Sequence, residues 1–372
     1  MFVTIIYIYR NRDMERVKRS LDSLTQQTEK NFNVIFVDYG SDEKYKNEIS
    51  RLVSGYSFCR YVYNNTRGMP WNRSHALNTG IRMVEAGFVF TADIDMIFKT
   101  NFVKTLLSEK KDRAVSFFSV NYLPQNFSDW NNPEIKIYEK SKNFALGLAL
   151  LPVTLLNELR GYDEFYCFWG QEDNDMKHRL DKAGVQTKFY DREALMHHQW
   201  HQPSTASEKE LPAGWRVFQN DYFHSKKELV TRNENMEWGK LFLENERVSL
   251  QMMNDPLTTF SLHNGSSSFF IFDLMRQFKN LPASGTLVFE FNDVNSAAHL
   301  QSRLGKTISF LQRKTDVLNI PVNLVSKFRN LYTTVYEVRD ETIIFILSNK
   351  DIIADYCLFM DEKKFKVVVF KK

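Results

Sequence analysis

The sequence predicts an α/β protein, a mainly parallel sheet with helices on both faces, followed by a smaller α+β domain. Three observations predict it. Over roughly the first 200 residues, runs of β-branched and aromatic residues alternate with amphipathic stretches of helical period. Several of those runs end in charged or polar residues, Arg10, Asp38 and Asp93 among them, as strands do when one sheet edge serves a ligand. Beyond about Asn254 the alternation breaks down. At 372 residues the chain is long enough for an α/β domain of about 250 residues and a second, smaller one. The expected division is 1–250 and 255–372.

Val3 to Tyr9 is β-branched and aromatic throughout, as a strand buried on both faces should be. Met14, Val17, Leu21 and Leu24 follow at spacings of three and four between Arg, Lys and Asp, which gives one apolar stripe and hence a helix. Asn33 to Asp38 is the second strand. Gly40-Ser41-Asp42 is a turn, and a polar helix runs to about Val53. A short third strand lies near Phe58 to Tyr63. A helix from about Asn72 to Glu85, with Leu77, Ile81 and Val84 inward, leads into Phe88 to Asp93, the fourth strand. Ala114 to Val120 and Phe144 to Leu150 read as further strands around a polar, aromatic loop from Gln125 to Asn132. Gly147 inside the second of these implies close approach of a ligand or another backbone. A helix from about Glu172 to Ala183, stopped by Gly184, precedes a strand near Thr187 to Tyr190. Pro203 to Gly214 reads as a mobile loop of the kind that serves as a lid.

The last third carries no chemical motif and no internal repeat. Asn264 to Ser268 is loop-like, Phe269 to Phe278 is a helix candidate, and strands are expected at Thr286 to Phe291, Thr342 to Leu347, Tyr356 to Phe359 and Phe365 to Phe370.

Bulk properties narrow the function. With 25% charged residues the composition is that of an ordinary soluble protein, and 31 Phe and 16 Tyr imply large cores or a face for sugars, whose C–H surfaces pack on aromatic rings. A formal charge of +4 without a Lys/Arg run argues against a nucleic-acid partner. Cys59, Cys167 and Cys357 are odd in number and far apart, which fits a reducing compartment rather than a disulfide framework. Strand-like sequence begins at Phe2, and no apolar run approaches the roughly 20 residues that span a bilayer. The expectation is a cytoplasmic protein. Lys363-Lys364-Phe365-Lys366 with Lys371-Lys372 offers a peripheral contact to an anionic membrane, although a solvated terminal strand is the simpler reading.

The chemistry gathers at the strand ends. Asp93-Ile94-Asp95 puts two carboxylates where the chain leaves a buried strand, one turned to each side, so that one can hold a divalent cation and the other a hydroxyl. The tripeptide is common by chance, and its weight comes from the acids and imidazoles downstream. Glu172 and Asp173 open a helix, and His197, His198 and His201 come after the next strand. Arg10, Arg12 and Asp38 close the first two strands. In a parallel sheet all of these converge on one edge, which suits a nucleotide diphosphate: arginines for phosphate or base, Asp38 for a base N–H or ribose hydroxyl, and a cation bridging the phosphates. The blander readings are a solvated strand-end turn for Asp93 and Asp95, surface ion pairs for the arginines, acidic helix caps for Glu172 and Asp173, and a structural cluster for the histidines.

Five segments together resemble an inverting glycosyltransferase of the Rossmann-like GT-A fold, family 2, and in particular the β-1,4-galactosyltransferase and chondroitin-polymerase type, over residues 3 to 205. They are Tyr9-Arg10-Asn11-Arg12, Trp71-Asn72-Arg73 with Asn78 and Gly80, Asp93-Ile94-Asp95, Trp169-Gly170-Gln171-Glu172-Asp173, and His198-Gln199. Tyr39 stands in place of a second Asp, Gln171 in place of Gly and Asn174 in place of an acid.

The resemblance implies transfer of a hexose (Gal, GalNAc, Glc or GlcNAc) from a UDP-sugar to a saccharide or glycolipid acceptor, in surface-polysaccharide synthesis. It implies Mn2+ or Mg2+ on Asp95 and His198, with His197 or His201 as alternative ligands. Tyr9, Arg10, Arg12, Asp38, Arg73 and Asp93 would hold the donor, and Gly147 would bring backbone close to its sugar. Asp173 would be the general base, Glu172 would hydrogen-bond the acceptor, and Trp169 would stack on it. The competing readings are a nucleotidyltransferase, which lacks its Gly-rich loop after the first strand, and a non-catalytic sugar- or nucleotide-binding scaffold.

Overall fold

The computed structural model describes residues 2–130, 135–141, 144–168, 170–202, 233, 237–252, 259–263, 267–292, 335–361 and 364–372. The chain divides into two compact units, Met1–Glu246 and Arg247–Lys372. Trp169 and the segment Pro203 to Gly214 lie outside the described residues.

In the first unit β1 (Val3–Tyr9), α1 (Met14–Thr25), β2 (Phe32–Tyr39), α2 (Glu43–Ser54), β3 (Cys59–Asn64), α3 (Arg73–Ile81) and β4 (Phe88–Asp93) alternate as expected. After them come β5 (Met96–Phe98), α4 (Phe102–Glu109), β6 (Ala114–Phe118), β7 (Asn121–Tyr122), β8 (Glu139–Lys140), β9 (Ala145–Pro152), α5 (Val153–Glu158), α6 (Glu172–Lys182), β10 (Gln186–Tyr190) and β11 (Met196–His198). The main sheet has the order β10-β6-β9-β4-β1-β2-β3. All its pairs are parallel except those of β9, which runs antiparallel to β4 and β6.

β1 is buried at all seven positions because helices cover both faces of the sheet. Val3, Ile5, Tyr7 and Tyr9 share a core with Val17, Leu21 and Leu24 of α1. Ile6 and Ile8 share the other with Ala76, Leu77 and Ile81 of α3 and Met176 and Leu180 of α6. The parallel register sets Ile8 beside Asp93 and Tyr9 beside Asp38, so the polar strand ends do meet on one edge. The helix expected to reach Glu85 stops at Ile81, where the N–H groups of Met83 and Val84 reach back only to Gly80 and Ile81 and tighten the chain into turns.

A small second sheet, β5-β11-β7-β8, has strands only two or three residues long, too short to carry a periodic signal in the sequence. It positions the histidines. β11 pairs antiparallel with β5, setting His198 against Met96, and parallel with β7, setting His198 against Tyr122.

The second unit holds α7 (Val248–Gln251), β12 (Thr259–His263), α8 (Ser267–Asn280), β13 (Thr286–Asn292), α9 (Val335–Ser348), β14 (Ile353–Met360) and β15 (Lys364–Lys371), with sheet order β12-β13-β15-β14. One expectation is overturned: Thr342 to Leu347 is the last half of α9, not a strand. Its β-branched residues read as strand, but Val335, Val338, Arg339, Thr342 and Ile346 are buried at helical spacing, and that packing overrides local preference. Ser267 and Ser268, expected in a loop, begin α8. The ammonium of Lys364 pairs with Glu290, and that of Lys371 donates to the carbonyl of Leu281, so both lysines are engaged within this unit. Among the described residues no helix is long and apolar enough to cross a membrane.

Candidate active site

Asp95 lies two residues past β4, in the tight connection to β5, and the β5–β11 ladder carries on past His198 through a bond from Gln199 N–H to the Asp95 carbonyl (3.0 Å). That ladder brings together side chains about a hundred positions apart in sequence. His201 Nε2 stands 3.2 Å from Asp95 Oδ2 and His198 Nε2 3.7 Å from Asp95 Oδ1. One ligand atom from each of the three residues falls within 4.8 Å of the others. Asp95 Oδ1 is buried without a hydrogen-bond partner, the condition of an oxygen built to meet a cation. His201 Nδ1–H donates to the Gln202 carbonyl at 2.9 Å, which leaves Nε2 facing Asp95. One carboxylate and two imidazoles form a donor set that fits a divalent metal ion. Burial opposes the charge of Asp95, but His201 and His198 prevail and its pKa lies below the ordinary carboxylate value. His197 is turned away. Strand alternation puts it on the opposite face of β11 from His198, buried against Tyr138, and burial lowers its pKa to about 4.

Asp93 faces the other way, towards Arg73. The Arg73 guanidinium donates to Asp173 Oδ1 (2.8 Å) and to the Gly147 carbonyl (3.2 Å), and it lies 3.5 Å from Asp93 Oδ1 and 3.8 Å from Glu172 Oε1. Burial works against its charge, yet the carboxylates of Asp173, Asp93 and Glu172 hold its pKa above the ordinary value. Glu172 is 6% exposed, and burial, reinforced by the neighbouring charge of Asp173, pushes its pKa up to about 7. Burial, with Asp95 adding, also raises Asp93. A Cβ at Gly147 would stand 2.9 Å from both Arg73 Nη2 and Asp173 Oδ2. The close approach expected at this glycine is therefore made by those two side chains.

The sequence around each element explains the placement. Asn72 caps α3 by accepting from His75 N–H (2.8 Å), which fixes Arg73 as the first helical residue, and its amide donates to the Glu164 carbonyl. Asn78 exchanges bonds with Tyr162 and donates to Glu164 Oε1, so α3 is tied along its length to the segment that enters α6. That segment turns through Phe168, Gly170 and Gln171, all at positive φ, before Glu172 starts the helix. The acids that open α6 then diverge. Asp173 meets Arg73, whereas Asp175 is fully buried and paired with Arg179 at 2.8 Å.

On the β1–β2 side, Asp38 is wholly buried, accepting from Ser41 N–H (2.9 Å) and from the Tyr61 hydroxyl (2.8 Å). Burial raises its pKa against those bonds. Tyr9, also buried, donates its hydroxyl to the Arg12 carbonyl. Arg10 donates to the Met69 carbonyl (2.9 Å) beside the Tyr39 ring, and Arg12 is exposed. Asn11, at φ 50°, bonds Ser41 and Asp42 and clasps the two loops.

Sequence reasoning leaves His201 as an alternative and gives Asn72 no role of its own. The first needs the register of β11, and the second is legible as an Asn just before a helix.

Residues 4–157 match the family model for glycosyl transferase family 2, and residues 129–202 match that for the N-terminal domain of galactosyltransferase. No curated protein matches the chain. Among solved structures, Staphylococcus aureus TarS (residues 1–349) is 15% identical, with a TM-score of 0.41 over 54% of this chain and 60% of that one. GalNAc-T7, solved with UDP, GalNAc and Mn2+, is 15% identical, with a TM-score of 0.45 over 61% of this chain and 51% of its own. The mannosyltransferase PcManGT of Pyrobaculum calidifontis, in complex with GDP-Man and Mn2+, is 16% identical, with a TM-score of 0.39 over 58% and 59%. The chain thus spans half to three-fifths of the length of these relatives. Residues 4–157 thus match the glycosyltransferase family 2 model, and they form the mainly parallel part of the seven-stranded sheet.

Proposed function

We propose that this chain, residues 4–157 of which match the glycosyltransferase family 2 model, transfers a hexose from a UDP-sugar to a saccharide hydroxyl with inversion, using Mn2+ or Mg2+. The observation that carries the reading is the parting of the Asp-x-Asp pair, Asp95 towards two imidazoles and Asp93 towards the guanidinium that also holds Asp173.

Asp95, His198 and His201 would hold the cation, which when bound offsets the charge that develops on the departing diphosphate. Arg73 and Asp93 present a donor and an acceptor, 3.5 Å apart, to the hydroxyls of the donor sugar. Asp173 takes the proton of the attacking hydroxyl from its place in the first turn of α6. Glu172, beside it, orients that hydroxyl, with Trp169 as a stacking platform. Attack from the side opposite the diphosphate inverts the anomeric centre. Arg10 and Arg12 receive the nucleotide. Tyr9 and Asp38 support that edge from beneath, Tyr9 through the Arg12 carbonyl and Asp38 through the turn at Ser41.

The test is UDP release from UDP-Gal, UDP-GalNAc, UDP-Glc and UDP-GlcNAc with Mn2+ present. One of them should turn over, and a chelator or Asp95→Asn should abolish it. His201→Ala should weaken Mn2+ binding by at least about tenfold, a loss that even outer-sphere partners can cause. Asp173→Asn should bind the donor without transferring it. Binding of UDP-sugars with no turnover in the wild-type protein would favour a scaffold instead.

A further inference from the structure

We propose a second saccharide-binding site, in a cavity of about 710 Å3 between α1, β5, Trp130 and Lys136, that holds a distal, acidic part of the acceptor chain. It rests on the reading of the protein as a transferase with a saccharide acceptor, but it lies on the other face of the small sheet from the metal ligands.

One wall is a stripe of α1 and its C-terminal cap, Gln26. Glu15, Lys18, Arg19, Asp22 and Gln26 recur at helical spacing beside the apolar stripe that packs on the main sheet, and all five line the cavity. A helix face that was merely solvated would have nothing opposite. Here Lys99, Asn101, Trp130 and Lys136 line the same cavity. The Arg19 guanidinium lies 4.2 Å from the centroid of the Trp130 ring and donates to Gln199 Oε1 at 2.8 Å, so this aromatic wall is already braced.

His197 also lines the cavity. The alternation that turns His198 to the metal cluster turns His197 the other way, where it is 3% exposed with an Nδ1 that has no hydrogen-bond partner. A buried ring nitrogen left unpaired is rare and calls for a polar occupant. An imidazole nitrogen can bond a sugar hydroxyl.

The chemistry of the lining selects the ligand. Lys18, Arg19, Lys99 and Lys136 outnumber Glu15 and Asp22, and Lys18 pairs with Asp22 (2.7 Å) while Lys99 pairs with Glu193 (3.0 Å). Closely mixed donors and acceptors suit the alternating hydroxyls of a sugar, whereas a polyphosphate would meet the carboxylates and a lipid chain would find too little apolar wall. The surplus of cations adds a preference for a uronate over a neutral sugar, and Trp130 offers a surface for a C–H face.

The probes are an acidic tetrasaccharide of alternating glucuronate and N-acetylgalactosamine and a neutral N-acetylglucosamine tetrasaccharide, titrated calorimetrically into the full chain with a chelator present. The acidic one should bind at least tenfold more tightly. Trp130→Ala should weaken it at least fivefold, and so should Lys136→Glu, an exposed change that spares the fold, whereas Asp95→Asn should leave it unaltered. UDP release with Mn2+ should be the same in both cavity variants as in the wild type. No binding by the wild type, equal binding of the two probes, binding that survives both cavity changes, or binding lost in Asp95→Asn overturns the site. Absent UDP release in the wild type instead sinks only the transferase reading.

Discussion

Gly147 sets how closely Arg73 and Asp173 can approach the backbone of β9. Alanine there puts a methyl 2.9 Å from polar atoms of both, closer than real contacts allow, and the pair must part or slide. Both atoms are the ends of flexible side chains that can shift cheaply, so Gly147→Ala should remain folded. Its transfer rate should nevertheless fall more than tenfold because the base loses its brace, and an unchanged rate would show that the Arg73–Asp173 contact has no part in transfer. Glu172 yields a prediction of a different kind. Its pKa rises from the ordinary 4.5 to about 7 on folding, so between those values the folded protein keeps a proton that the unfolded chain has released. Stability therefore falls as pH rises through that window. Glu172→Gln should flatten the fall, seen as a smaller drop in metal-free melting temperature from about pH 5 to about pH 7.5. Superposable curves for the two proteins would mean that the carboxyl is not held protonated.

At the scale of the element, α3 and β11 matter most because each converts local regularity into a long-range juxtaposition. Asn72 caps α3 and braces the 164–167 segment, through the Glu164 carbonyl at 2.8 Å and Cys167 Sγ at 3.3 Å. Losing a cap costs about 0.5–2 kcal/mol. Asn72→Ala should lose at least that in denaturant unfolding and also lower transfer, since Arg73 is the next residue. Asn72→Asp keeps the capping oxygen but not the amide donors, so recovery of stability without recovery of rate would assign the bracing to the amide. This division marks what the sequence can reveal. The strands of the main sheet are legible because β-branched runs between polar ends have few alternative readings, and Asp93, Asp95 and Asp173 are legible as acids at element ends. Which histidine faces Asp95 is not, because it depends on the register of a three-residue strand against β5, a pairing across about a hundred residues. Thr342 to Leu347 misleads for the opposite reason: its local preference is clear, and the packing of α9 prevails.

At the scale of the whole molecule, a buried ion pair fixes where the second unit starts. Arg247 is 1% exposed, its Nε donates to Asp355 Oδ1 at 2.7 Å, and its Nη2 donates to the Tyr356 carbonyl at 2.8 Å. Ser249 completes the arrangement, its N–H and hydroxyl donating to Asp355 Oδ2 at 2.9 and 2.7 Å. A division at 255, which composition suggests, would strip Asp355 of its cation and of both serine donors while leaving the carboxylate in β14, 4% exposed. Breaking a buried pair by removing one partner costs about 3–5 kcal/mol, more than a small domain can spare. The fragment 247–372 should therefore unfold cooperatively in urea, whereas 255–372 should have a much lower midpoint or no transition. In the full chain Arg247→Met should destabilise this unit by a similar amount, and adding Asp355→Leu should restore most of it. Every residue assigned to transfer precedes Glu246, so the fragment 1–246 should retain UDP release with Mn2+. Equal stability of the two C-terminal fragments would move the boundary back to the compositional change and leave the ion pair as an ornament of the fold rather than its edge.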